Sequence, residues 1–114
     1  MLAKQSRLVK QKDFEKIFQQ GRSYYSKLLG IKAMVNEQQE NRYGIVISTK
    51  VSKKSTERNK LKRQIRHAIK RLDYELAQGM DIIVMALPAI SGQGYNTIKS
   101  ELERILIKLK LLKQ

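Results

Sequence analysis

Residues 80–87, MDIIVMAL, form a nearly continuous apolar run that Pro88 stops. Such a run suits a central strand buried on both faces, although a buried helix segment can show the same pattern. Either way it needs cover. The main candidate is the stripe Leu61, Ile65, Ala68, Ile69, Leu72 and Leu76, whose three- and four-residue spacing puts one apolar face on a helix. A second candidate is Ile98, Leu102, Ile105, Leu109 and Leu112, which mark the buried face of a final helix that Asn96 is placed to cap.

The preceding chain supplies a helix and strands. A basic lead, residues 1–12, is expected to be extended. Asp13 is placed to cap a short helix, DFEKIFQQ, closed by Gly21, with Phe14, Ile17 and Phe18 on one face. Residues 22–28 read as a polar connection containing Tyr24 and Tyr25. Leu29, Ile31, Ala33 and Val35 then alternate with Gly30, Lys32, Met34 and Asn36, the period of a half-buried strand. After the loop EQQEN, residues 43–48 (YGIVIS) read as a second strand, expected to pair with the first as an antiparallel hairpin. Lys50 and Val51 are the candidates for a third. The order αββ(β)αβα predicts one α+β domain over residues 1–114, a mixed sheet with helices packed on it. No repeat, linker or low-complexity block interrupts it.

The helix carrying the first stripe has a second character. Residues 50–71 hold ten Lys or Arg and a single acid, Glu57. From Thr56, expected as its cap, the segment reads as a helix running to Gly79. Arg58, Lys62, Arg66 and Lys70 step by four, with Lys60, Arg63 and Arg71 widening the column. Like charges at that spacing repel by a few tenths of a kcal/mol per pair, so a helix that keeps them suits a polyanionic partner. A merely solvated face is the alternative. The chain's net charge of +14 favours the first reading, because phosphate contacts dominate affinity for nucleic acid.

Other classes fit poorly. A DNA-reading helix–turn–helix unit would need helices where the strand-like YGIVISTKV stands. A membrane-surface helix would carry Trp or Phe beside its apolar face, and the basic helix has neither. With no signal-peptide pattern and no cysteine, a cytoplasmic protein is expected. Catalytic side chains are nearly missing. The single histidine, His67, lies among Arg63, Arg66 and Arg71, and the ten acids are scattered, so neither a general base nor a metal site is expected. Phe14 and Phe18 have two readings: core packing, or an aromatic platform for unstacked bases.

The run ERNKLKRQIR resembles the signature of the bacterial ribonuclease P protein subunit, an Arg-Asn-Arg followed by Lys-Arg and another Arg. Arg58, Asn59, Lys62, Arg63 and Arg66 match, while Lys60 replaces the second arginine and keeps its charge without the planar fork. RYGIVISTK resembles the family's strand ending in a Lys-Lys element, with Thr49 in place of the first lysine and Lys50 matching the second. DFEKIFQQG resembles its first helix. The matches run nearly the whole length.

The resemblance implies a single-domain α-β sandwich of order αβββαβα, related to a ribosomal-protein domain fold. It implies a left-handed crossover through the basic helix, where general rules favour a right-handed one. It further implies that an RNA subunit, using Mg2+, cleaves the 5′ leader from precursor tRNA, with no cofactor held firmly by the protein. Lys50, Lys53, Lys54, Arg58, Asn59, Lys60, Lys62, Arg63 and Arg66 would bind the RNA subunit. Phe14, Phe18 and Lys32 would line a cleft for the leader, Lys32 standing where relatives can carry an aromatic. A structured-RNA-binding protein without a part in tRNA processing is the alternative.

Overall fold

The computed structural model describes residues 11–112, so residues 1–10 of the expected lead lie outside them, while its last two, Gln11 and Lys12, begin the first helix instead of being extended. The elements run α1 (Gln11–Gln20), β1 (Arg22–Tyr25), β2 (Leu29–Val35), β3 (Arg42–Val46), α2 (Ser55–Leu72), β4 (Met80–Ala86) and α3 (Tyr95–Lys108). This is the order αβββαβα. The four strands make one mixed sheet in the order β1-β2-β4-β3.

The apolar run of β4 is an inner strand. It pairs antiparallel with β2 on one side and parallel with β3 on the other. Ile82, Val84 and Ala86 face α2 and α3 in the main core, while Ile83 faces α1 in a smaller cluster with Ile17. Both faces are therefore covered, which is why the run shows no alternation.

That placement overturns the expected hairpin. β2 and β3 are not neighbours, because β4 lies between them. β4 has apolar side chains on both faces and gains most from an inner position, with a ladder on each edge. The additional strand is also not the one expected. Lys50 and Val51 form a turn, and the strand is instead β1, in the segment read as a polar connection. β1 pairs antiparallel with β2, setting Tyr24 opposite Ile31 and Tyr25 opposite Gly30.

Helix ends differ as well. Asp13 lies inside α1, and the cap of α3 is Gly94, one residue before Tyr95 and two before the expected Asn96. α2 begins after Lys54, and Thr56 lies within its first turn. Its entry is tied by Ser52, whose hydroxyl donates to Glu57 (2.6 Å) and accepts from the Lys54 amide (3.2 Å). α2 ends at Leu72, well before Gly79, and continues as a short 3-10 turn, Asp73–Glu75. Tyr43 of β3 donates its hydroxyl hydrogen bond to Asp73 there. Asn41 donates to Tyr43 (3.1 Å) and to the Ala77 carbonyl (2.8 Å), and accepts from the Met80 amide (2.8 Å). Gly79, at φ +79°, makes the turn into β4 instead of capping the helix. A Cβ there would stand 2.8 Å from the Gln38 carbonyl.

Candidate RNA interface

Two surfaces carry the expected site residues, and they lie on opposite faces of the sheet. The first is the groove between α1 and the sheet. Ile17 is fully buried against Ile83, with Phe14 partly buried in the same cluster. Phe18, one residue beyond Ile17, turns away from it and is 42% exposed. The α1 stripe thus serves both readings: Ile17 and part of Phe14 pack the core, while Phe18 shows its ring to solvent.

Lys32 joins the two walls of this groove. Its side chain leaves β2 on the α1 face, and its ammonium donates to the Phe18 carbonyl at 3.2 Å. That carbonyl is one of the last in α1 and has no partner within the helix, so a cation arriving from the sheet supplies both a hydrogen bond and a favourable charge at the helix terminus. The same ammonium lies 5.6 Å from the centre of the Phe18 ring.

Sequence reasoning missed a third aromatic. Tyr25, on β1, is 52% exposed and lies over Gly30 on the α1 face of the sheet. A Cβ at Gly30 would stand 2.5 Å from the Tyr25 ring, so glycine at that position lets the ring lie on β2. The signal was present: RSYY has the aromatic content of a strand, and a β1–β2 pairing puts Tyr25 directly across from Gly30. Val46 of β3 is also exposed, on the β3 side of the same face.

Arg42 fixes the other end of the groove. Its Nε and Nη2 donate to the two Asp81 oxygens at 2.8 and 2.6 Å, and its Nη1 reaches Asp13 of α1 at 3.4 Å. The guanidinium pKa is raised, chiefly by the hydrogen bonds to Asp81, so this clamp between α1, β3 and β4 stays charged.

The second surface is the stretch leading into and along α2. Lys50, Lys53 and Lys54 are exposed on the approach, and Asn59, Lys60 and Arg63 are exposed on the helix. Arg58, Lys62 and Arg66 are partly buried. Arg58 donates from Nη1 to the Ser52 carbonyl at 2.8 Å, which orients the guanidinium and leaves donors free. The widened column divides in three dimensions. Lys60, Arg63 and Arg71 turn toward the start of α3, away from Arg58 and Lys62, and line a separate concavity there. Among the described residues, none of the site cations on α2 is held in a salt bridge.

Among the described residues no three His, Cys, Asp or Glu side chains come together in a way that could hold a metal ion. No described helix is long and apolar enough to cross a membrane.

A small basic α+β domain with a cationic helix on one face of its sheet and an aromatic groove on the other is the kind of protein whose surfaces suit RNA. The family model for ribonuclease P matches residues 2–110, and the chain belongs to that family. It is 37% identical over 105 residues to the ribonuclease P protein component of Synechocystis, covering 91% of this chain and 85% of that protein. It is 34% identical to the corresponding component of Clostridium botulinum, covering 92% and 95%. Among solved structures, the Staphylococcus aureus RNase P protein superposes with a TM-score of 0.87 at 29% identity, covering 95% of this chain and 98% of that one. The Thermotoga maritima RNase P protein superposes with a TM-score of 0.82 at 30% identity, covering 90% and 96%.

Proposed function

We propose that this chain is the protein subunit of a ribonuclease P, binding the RNA subunit through the α2 stretch and the 5′ leader of precursor tRNA in the groove between α1 and the sheet. The RNA-subunit contacts are Lys50, Lys53, Lys54, Arg58, Asn59, Lys60, Lys62, Arg63 and Arg66. The leader contacts are Phe14, Phe18 and Lys32, joined by Tyr25. The observation that carries this reading is the part-exposed Phe18 ring with the Lys32 ammonium over it, 5.6 Å from its centre. A part-exposed ring with a cation close by suits a single-stranded nucleotide, which offers a base to stack and a phosphate to pair.

In this reading the cleavage chemistry and its Mg2+ belong to the RNA subunit. The protein supplies binding and position, and it works in the cytoplasm on precursor tRNA. Adding the chain to RNase P RNA should raise kcat/KM for leader removal at limiting Mg2+. A leaderless tRNA should gain no comparable affinity. Cleavage unchanged by saturating protein, with the RNA–protein complex formed, would defeat the proposal.

A further inference from the structure

The concavity beside α3 has a volume of about 400 Å³ and is lined by Lys60, Arg63, Gln64, His67, Arg71 and Tyr95. That size falls within the roughly 300–1,000 Å³ of small-ligand pockets. Its lining holds three permanent cations and no acid. None of the six side chains makes a hydrogen bond or salt bridge to another side chain among the described residues.

Two of the six are aromatic. Tyr95, the first residue of α3, is half-buried with its base against the main core. His67 stands perpendicular to it, ring centroids 6.5 Å apart. An edge-to-face pair fixes the tyrosine's orientation and leaves at least one of its faces uncovered by the histidine. Cations alone would suit any phosphate, including those of a duplex. A ring face in the same recess has no use in a duplex, whose bases are already stacked. The Gln64 amide, with both a donor and an acceptor, can meet a base edge.

We infer that this recess is a second nucleotide site, distinct from the groove beneath α1, which takes one unstacked nucleotide of the RNA subunit. The base stacks on Tyr95 and the phosphate pairs with Lys60, Arg63 and Arg71. The inference rests on the RNA-subunit reading of α2 for the source of the nucleotide, and on the recess itself for its chemistry.

The test is an NMR titration of the 15N-labelled full chain with AMP, adenosine and inorganic phosphate at low salt. AMP should bind at least about fivefold more tightly than phosphate, the lower end of what one base–aromatic stack supplies. Its shifts should gather on residues 60–71 and Tyr95. Tyr95→Leu should reduce AMP to the affinity of phosphate, while Tyr95→Phe retains the preference. If Tyr95→Leu does not fold, Arg71→Gln serves instead, weakening AMP and phosphate together. Equal binding of AMP and phosphate, shifts confined to Phe14 and Phe18, or a preference that survives Tyr95→Leu would overturn the site. In complex with RNase P RNA the recess should be filled, so that free AMP no longer shifts Tyr95. Continued AMP binding in the complex, or no complex at all, would overturn the RNA source while leaving the free-protein result to stand or fall by itself.

Discussion

Arg42 and Asp81 form a two-pronged ion pair across the parallel β3–β4 junction, and the pair also reaches α1 through Asp13. Asp81 is 8% exposed at its side chain, against 20% for Arg42, so the carboxylate is the partner that cannot recover water. Arg42→Ala would leave Asp81, among the described residues, with only the Asn36 amide, at 2.9 Å. The expected loss is about 3 kcal/mol, the lower end for breaking a buried pair. Asp13→Asn, at the long and more exposed arm, should cost about 1 kcal/mol or less. Urea unfolding of the two variants measures the difference, and equal losses would contradict this division.

Tyr43 should give the fold an alkaline sensitivity. Its pKa is raised well above the ordinary tyrosine value, first by burial and then by the hydrogen bond to Asp73. The folded state therefore keeps a proton that the unfolded chain loses above about pH 10, and stability falls as pH rises past that point. Tyr43→Phe should cost about 1–3 kcal/mol at neutral pH, because Asp73 and Asn41 lose a partner. Above pH 10 that gap should narrow by up to about 1.4 kcal/mol per pH unit. A gap constant from pH 8 to 11 would show that Tyr43 does not titrate differently in the two states.

The two phenylalanines should separate. Phe18→Ala should cost clearly less folding stability than the ~3–5 kcal/mol of a buried phenylalanine, since the ring is already 42% exposed. Affinity for precursor tRNA should fall by about 1–3 kcal/mol, one lost stack, and affinity for mature tRNA should not change. Phe14→Ala should lose more stability, because its ring packs beside Ile17 and Ile83. Equal weakening toward both tRNAs, or toward neither, would exclude a stacking platform.

Arg58→Ala should weaken RNA-subunit binding and reduce its log–log salt slope by about one unit, one phosphate's worth. The anchoring bond to Ser52 makes Arg58 the best oriented cation on α2. Gel-shift titrations across a salt series measure both quantities. An unchanged slope with the fold intact would reduce the helix to a solvated face.

Gly30→Ala should act on the groove at a distance from Phe18. The added methyl would collide with the Tyr25 ring and displace it from β2. Precursor-tRNA affinity should fall while RNA-subunit affinity holds, and Tyr25→Ala should reproduce the effect. Loss of RNA-subunit binding in either variant would indicate a general structural defect.

The sequence by itself determined the elements whose side chains repeat locally. The α2 stripe to Leu72, the α3 stripe to Ile105, the alternation of β2 from Leu29 to Ala33 and the doubly buried β4 were legible, because side-chain direction along a helix or strand follows from local backbone geometry. The shared face of Phe14, Ile17 and Phe18 was legible for the same reason, whereas Lys32 and the lysines before α2 became candidates only through the family resemblance. Leu76, Leu109 and Leu112 are buried beyond the helix ends, and Val35 is exposed. Only the tertiary structure decided which strands adjoin. β4 enters between β2 and β3, and β1 becomes an edge strand, because pairing depends on what each strand can bury against segments distant in sequence. The same holds for the surfaces. Tyr25 joins the groove only once β1 pairs with β2, and the flank of Lys60, Arg63 and Arg71 becomes a recess only once α3 docks with Tyr95 beside it. Helical periodicity states which residues share a flank, but it contains nothing about the neighbour that turns that flank into a recess.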